Sequence, residues 1–159
     1  MEIRILSAGK IKEKYLTDGI AEYAKRLGRY CKLTQIRVAD EKTPDGASEA
    51  TNSHIREIEG ERLLRQIREQ DYVVALAIEG KMLDSVQLSG FLEKLAIGGT
   101  SSITFVIGGS LGLSPAVLKR ADYLLSFSPM TFPHQLMQLI LLEQIYRSFR
   151  IMHHEPYHK

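Results

Sequence analysis

The sequence has few of the features that mark secreted or membrane proteins. Its 159 residues include one cysteine, Cys31. An internal disulfide is therefore impossible, and we expect a reducing, cytoplasmic environment. No apolar run reaches transmembrane length, and the start shows no signal-peptide core. We expect one domain over residues 1–159, with Cys31 as a small apolar core residue.

The chain also lacks a strong excess of one charge, because its net charge is only +2. The charge is unevenly distributed, since residues 1–40 hold nine Lys or Arg against five Asp or Glu. Four of these cations are candidates for contacts with RNA phosphates: Lys10, Lys12, Arg26 and Arg29. A solvated helix with cations near its C-terminal end explains the same pattern equally well.

Strand and helix patterns alternate along the whole chain. The predicted strands are residues 2–8, 32–39, 72–78, 103–107 and 123–127. The predicted helices are residues 13–30, 54–69 with Asn52 or Ser53 as cap, 85–97, a short one from Ser114-Pro115, and 134–150. Residues 79–81 are expected to turn the chain. This order predicts an α/β fold with a mostly parallel sheet sandwiched by helices.

The last predicted helix is apolar around most of its circumference. A helix of this kind is buried on more than one side, whereas an outer helix of a small α/β domain usually buries one side. We therefore expect a second copy of the chain to cover the other side, which predicts a homodimer.

Residues 103–134 are the most informative stretch. Two predicted strands end there in loops rich in Gly, Pro and Ser: Gly108 to Gly112, and Ser128 to Phe132. In open α/β sheets, ligands bind at loops that follow the carboxyl ends of strands. We expect the functional site at these two loops.

Two familiar motifs overlap this stretch. Residues 108–112 match the G-x-S-x-G pattern of serine hydrolases, with Ser110, Asp122 and His134 in the required order. However, the helix-start signal lies four residues after Ser110, and Asp122 precedes a strand instead of following one. The spacing G-G-x-x-G also departs from the dinucleotide-binding pattern. A hydrolase using Ser110 and a non-catalytic RNA-binding module remain as alternatives.

The histidine-rich tail, His153 to His158, has no established metal-binding spacing, and Pro156 interrupts any helix that would align its histidines. We expect no metal.

The segments VIGGSLGLS and LSFSPMTFPHQLMQLILLEQIYRSFRI, with the closing HHEPYHK, closely resemble the RlmH (YbeA-type) family of SPOUT-class methyltransferases. The resemblance extends to the opening IRILSAGKIK and the central LAIEGK. It implies a homodimer with a C-terminal trefoil knot. It also implies S-adenosylmethionine as cofactor and, as substrate, N3 of a pseudouridine in 23S ribosomal RNA of the large subunit, on the assembled ribosome.

By position, the resemblance implies cofactor contacts in the central strand and in the two loops: Leu76, Gly108, Phe127, Ser128, Pro129, Met130, Thr131 and Phe132. Methyl transfer to an imide nitrogen needs alignment of the reacting atoms and removal of the N3 proton. Our candidates for positioning the base or accepting that proton are His134, Tyr157 and His158. The reaction needs no metal and no protein nucleophile.

Overall fold

A computed structural model describes residues 1–159 as five strands and five helices in strict alternation. The strands are β1 (Glu2–Ala8), β2 (Lys32–Val38), β3 (Tyr72–Met82), β4 (Ser102–Ile107) and β5 (Tyr123–Ser126). The helices are α1 (Lys14–Leu27), α2 (Glu49–Leu64), α3 (Ser85–Ile97), α4 (Pro115–Arg120) and α5 (His134–Met152). The predicted element order is confirmed.

The five strands form one parallel sheet in the order β2-β1-β4-β3-β5. Strand β1 lies inside the sheet, where Ile3 pairs with Leu33 of β2 on one edge and with Ile103 of β4 on the other. Because every strand runs the same way, all the loops that follow the strands emerge at one edge of the sheet. The predicted α/β class with a parallel sheet is therefore confirmed.

Helices cover both faces of the sheet, as a parallel sheet requires. The larger core joins sheet residues such as Ile5 and Phe105 to helices α1, α3 and α5. A smaller core on the opposite face joins Leu6 and Val106 to Leu63 of α2 and to α4. The alternation of Ile5 and Leu6 between these cores follows from the two-residue period of a strand.

Helix α5 lies between α1 and α3 in the larger core. None of its residues is fully exposed, and Leu141, Leu142 and Ile145 are completely buried. The neighbouring helices of the same chain thus supply much of the cover that its apolar circumference requires.

Strand β5 is paired with two separate segments of β3. Leu125 is the parallel partner of Leu76 and also of Lys81, and the register shifts between those two residues. An extended strand has only two hydrogen-bonding edges, so the two segments of β3 occupy opposite edges of β5. The connecting residues therefore cross over β5, and Gly80 makes this crossing, because an added Cβ there would lie 2.7 Å from Leu124 backbone atoms.

Three local predictions were wrong. Helix α2 begins at Glu49, because Ser48 caps it by accepting a hydrogen bond from the Thr51 backbone N–H. Strand β3 continues to Met82 and does not turn at residues 79–81, since β5 provides it with a second pairing edge. Cys31 is only half-buried at the margin of the larger core, where burial raises the pKa of its thiol to about 11.

The crossing predicts that Gly80→Ala destabilises the protein by about 1–3 kcal/mol, since the new Cβ meets backbone that cannot move aside. Urea unfolding of the variant measures this change. Gly90→Ala is the matched control, because no atom lies within 4 Å of an added Cβ in helix α3. The control should stabilise the protein by about 0.5–1 kcal/mol. Equal effects of the two substitutions would contradict the crossing.

Candidate functional site

A cavity of about 930 Å³ opens at the carboxyl edge of the sheet. Three segments form most of its wall: residues 76–79 of β3, the loop that follows β4, and the loop that follows β5. The two loops singled out in the sequence thus lie against each other, as the topology of a parallel sheet dictates. A cavity of this volume is at the upper end of the range for small-molecule sites.

The loop after β4, residues 108–112, is held in a tight turn. An added Cβ on Gly108 would lie 2.6 Å from the backbone carbon of Gly112, and Gly112 itself has a φ of +83°. The glycines at these two positions are required by close backbone approach and by a left-handed conformation. The loop therefore presents main-chain atoms to the cavity where side chains would otherwise stand.

Helix α2 packs against the same loop at close range. An added Cβ on Gly109 would lie 2.9 Å from Glu59 Oε1, and one on Gly60 would lie 2.3 Å from Ser114 Oγ. Two glycines, one on each partner, thus permit this approach. The position of the glycine loop is fixed from behind by helix α2.

Glu59 is an unusual residue in this contact, because its side chain is only 4% exposed. Its Oε2 accepts a hydrogen bond from the Glu41 backbone N–H, while its Oε1 has no partner. Burial raises the pKa of Glu59, and nearby Asp40 adds to the rise. The carboxyl group is therefore easier to protonate than an exposed one.

The loop after β5 is shaped by its own serines. Ser128 Oγ accepts a hydrogen bond from the Met130 backbone N–H at 3.0 Å, and the Ser126 hydroxyl donates to the Ser128 carbonyl oxygen. Of the predicted cofactor residues, all except Pro129 line the cavity: Leu76, Gly108, Phe127, Ser128, Met130, Thr131 and Phe132. Pro129 lies within the loop without facing the cavity.

His134 also lines the cavity, at the first position of α5. An added Cβ on Gly9 would lie 3.1 Å from His134 Nε2 and 3.3 Å from Asp40 Oδ2, so both groups flank the loop after β1. Burial lowers the pKa of His134, although Asp40 and Glu13 act in the opposite direction. The imidazole is therefore neutral near pH 7 and has a nitrogen lone pair available.

The tail residues Tyr157 and His158 lie outside the cavity of their own chain. The Tyr157 hydroxyl donates to Glu143 Oε1 at 3.0 Å, and His158 Nδ1 lies 3.1 Å from an Arg147 nitrogen. Glu143 is nine residues after His134 on α5, which corresponds to about 14 Å along a helix. Burial and the contacts with Tyr23 and Glu143 raise the pKa of Tyr157, so its phenol stays protonated.

The four predicted RNA-contacting cations fall into two groups. Lys10 and Lys12 are exposed in the loop after β1, which also carries Gly9 beside His134. Arg26 and Arg29 lie at the far end of α1, where they pair with Glu22 and Glu155. The length of α1 separates the groups by roughly 20 Å.

The residues of the alternative hydrolase are not assembled. Ser110 and His134 both line the cavity, but the Asp122 carboxylate accepts a hydrogen bond from the Val73 backbone N–H at the opposite edge of the sheet. No group of three or more His, Cys, Asp or Glu side chains is arranged to hold a metal ion.

Sequence reasoning missed two residues of the site, Arg56 and Glu59. Arg56 lines the cavity, and Glu59 supports the glycine loop. Both lie on helix α2, whose many charged residues are typical of a solvent-exposed helix. The pair Glu59-Gly60, a glycine next to an acid in mid-helix, was the available signal of close packing.

Comparison with known proteins identifies the family. The model of a family described as "Predicted SPOUT methyltransferase" matches residues 1–158. The chain is 62% identical to Ribosomal RNA large subunit methyltransferase H of Bifidobacterium adolescentis and 58% identical to the protein of that name from Streptococcus thermophilus, with full coverage of both chains. This protein therefore belongs to the SPOUT methyltransferase family, and the family resemblance predicted from its sequence is confirmed.

Solved structures agree on the fold. A probable methylase family protein from Haemophilus influenzae superposes with a TM-score of 0.54 at 13% identity, covering 99% of this chain and 70% of that chain. A probable methyltransferase from Bordetella pertussis gives a TM-score of 0.55, also at 13% identity, over 92% and 95% of the two chains.

No helix is both long and apolar enough to span a bilayer.

The buried Glu59 makes stability depend on pH. A raised pKa means that folding favours the protonated carboxyl, so its stabilising contribution is complete below about pH 4 and is lost as pH rises through the folded-state pKa. Glu59→Gln keeps the shape without the ionisation. The melting temperature of this variant relative to the native protein should therefore increase from pH 4 to pH 8.

The exposed Glu57 on the same helix provides the control. Glu57→Gln should follow the native protein at every pH. Parallel melting curves for native protein and Glu59→Gln would show that the Glu59 carboxyl is not destabilised by burial.

Proposed function

We propose that this protein is an S-adenosylmethionine-dependent methyltransferase that acts on large-subunit ribosomal RNA. The finer assignment is N3 of a pseudouridine in 23S RNA, on the assembled ribosome. The observation that carries this proposal is that Leu76, Gly108 and the loop 127–132 line the same cavity. The names of the relatives at 58–62% identity support the ribosomal substrate.

The cavity suits an adenosine-containing cofactor. Leu76, Ile107 and Phe127 supply apolar surface for a flat heterocycle, and the glycine loop offers main-chain hydrogen-bonding groups at close range. The volume of about 930 Å³ leaves room for a target base beside the cofactor. When bound, the cofactor would supply a methyl group on a sulfonium sulfur, and that sulfur would leave as a neutral thioether when the methyl passes to the nitrogen.

The residues of this chain then have two tasks. The loops must hold the N3 atom in line with the methyl group, because such alignment supplies much of the rate enhancement in group transfer. A base must take the N3 proton. His134 is the proposed acceptor, since it lines the cavity and is neutral near pH 7.

A homodimer is proposed on different grounds from those in the sequence, because α1 and α3 already flank α5. Large apolar side chains are exposed on several elements: Tyr15 on α1 is 72% exposed, Met82 at the end of β3 is 59% exposed, and Val86 on α3 is 55% exposed. Exposed apolar side chains of this size support an interface with a partner. A partner copy is also required if Tyr157 and His158 are to act at a cavity.

The trefoil knot remains part of the proposal. Its support is the crossing of β3 over β5 at Gly80, which encloses β5 between two segments of the same strand.

The proposed function is tested by methyl transfer from radiolabelled S-adenosylmethionine to ribosomes that lack the modification. Label should enter the large-subunit RNA, and mass spectrometry of its nucleosides should give N3-methylpseudouridine. RNA binding without transfer would instead support the non-catalytic module, and labelling of Ser110 by a fluorophosphonate would support the hydrolase.

In the same assay, His134→Ala should lower kcat by about 100-fold or more, the usual contribution of a general base. His54→Ala, which removes an exposed imidazole on α2 outside the cavity wall, is the control and should retain most of the activity. Unchanged turnover by His134→Ala would remove this residue from the mechanism.

The dimer predicts a doubled mass of the native chain in light scattering at micromolar concentration. Replacing Tyr15 and Val86 by glutamate places charge in the proposed interface and should shift the population towards monomer. A monomeric native protein would contradict the dimer.

A further inference from the structure

Arg56 is the one lysine or arginine among the residues that line the cavity. It lies on helix α2, a single turn before Glu59 and Gly60, which pack against the glycine loop. The guanidinium is thus held by a segment whose distance from the loop is fixed by close contact. We propose that Arg56 binds the carboxylate of the amino-acid end of the cofactor, an inference that rests on the proposed function.

The present partner of Arg56 is easily displaced. Its guanidinium pairs with Glu49, two turns earlier on the same helix. The Arg56 side chain is 21% exposed, whereas that of Glu49 is 79% exposed. An ion pair with such an exposed carboxylate contributes little to stability. A ligand carboxylate that enters the cavity can therefore replace Glu49 at small cost, while Arg56 stays in the wall.

The charges of the cavity match a zwitterion. An amino acid carries one carboxylate and one ammonium group. The cavity wall holds one arginine, Arg56, and one acidic residue, Glu79, on the part of β3 that crosses β5. The remaining titratable side chain, His134, is neutral near pH 7. Arg56 and Glu79 are therefore complementary to the two charged groups at the amino-acid end of the cofactor.

Arginine is suited to this task because its planar guanidinium can donate two parallel hydrogen bonds to one carboxylate. The competing ligand is a phosphodiester of the RNA substrate. Phosphate contacts are usually made by exposed cations on the protein surface, such as Lys10 and Lys12. The partial burial of Arg56 inside the cavity wall favours the small ligand.

Calorimetry with two ligands tests the assignment. S-adenosylmethionine has the amino-acid end on a sulfonium sulfur, whereas 5′-methylthioadenosine has the same adenosyl group on a neutral thioether and lacks the amino-acid end. We expect Arg56→Gln to weaken S-adenosylmethionine binding by roughly 10- to 100-fold, the effect of losing a charge-assisted hydrogen bond. Binding of 5′-methylthioadenosine should change by less than about twofold, which also shows that the variant is folded.

Two further variants sharpen the result. Arg65→Gln removes the same charge from an exposed position on the end of α2 and should leave both affinities unchanged. Glu49→Gln removes the competing carboxylate and should maintain or strengthen the binding of S-adenosylmethionine.

Each outcome that would contradict the assignment gives Arg56 a different role. Equal losses for both ligands would assign Arg56 to the shape of the cavity, and no loss for either would remove it from the cofactor site. An unchanged cofactor affinity with a raised KM for ribosomes and a weaker salt dependence would assign Arg56 to an RNA phosphate. Failure of the native protein to bind S-adenosylmethionine would instead overturn the proposed function itself.

Discussion

The cavity depends on the pairing of β5 with two segments of β3. Leu125 is bound on both edges, and Gly80 allows the connecting backbone to cross at van der Waals distance. This constraint brings residues 76–79 and the loop after β5 to the same cavity. Without the crossing, β5 would be an open edge strand and the loop that follows it would have no fixed wall to face.

The glycine loop supplies the third wall, and its position is set from the other face of the sheet. Gly60 of helix α2 lies against Ser114, and Glu59 of the same helix lies against Gly109. The same helix then carries Arg56 into the cavity. One helix therefore carries both the contact with the loop and an arginine of the cavity wall, because residues one turn apart lie on the same face.

Burial of Glu59 is the cost of that arrangement. An unpartnered carboxyl oxygen beside Gly109 destabilises the folded protein when it is ionised. Sites that bind ligands commonly retain such unfavourable groups, since their geometry is selected for function instead of stability.

Much of the fold was predictable from local patterns. Apolar alternation in residues 2–8 was sufficient to predict strand β1, and the signal at Ser114-Pro115 was sufficient to predict helix α4. Each pattern reflects a local backbone preference. Residues 79–81 were misread as a turn, since Glu79 and Gly80 have turn composition and only the distant β5 makes them strand. Non-local pairing of this kind is invisible to periodicity.

The candidate site was likewise predictable only in part. The two loops were predictable because parallel strands bring their carboxyl ends to one edge. Arg56 was not predictable, because nothing in its neighbourhood distinguishes a cavity-lining cation from a solvated one. Tyr157 and His158 were selected by resemblance, and within one chain their side chains instead contact Glu143 and Arg147 on α5.

We propose above all that the cavity between the glycine loop and residues 127–132 is a cofactor site. A crystal structure of the protein with S-adenosylmethionine tests it most directly. We expect the adenosyl group against Leu76, Gly108 and Phe127, with the amino-acid end directed towards Arg56. Cofactor density elsewhere on the protein, or a cavity that stays empty at saturating cofactor, would contradict it.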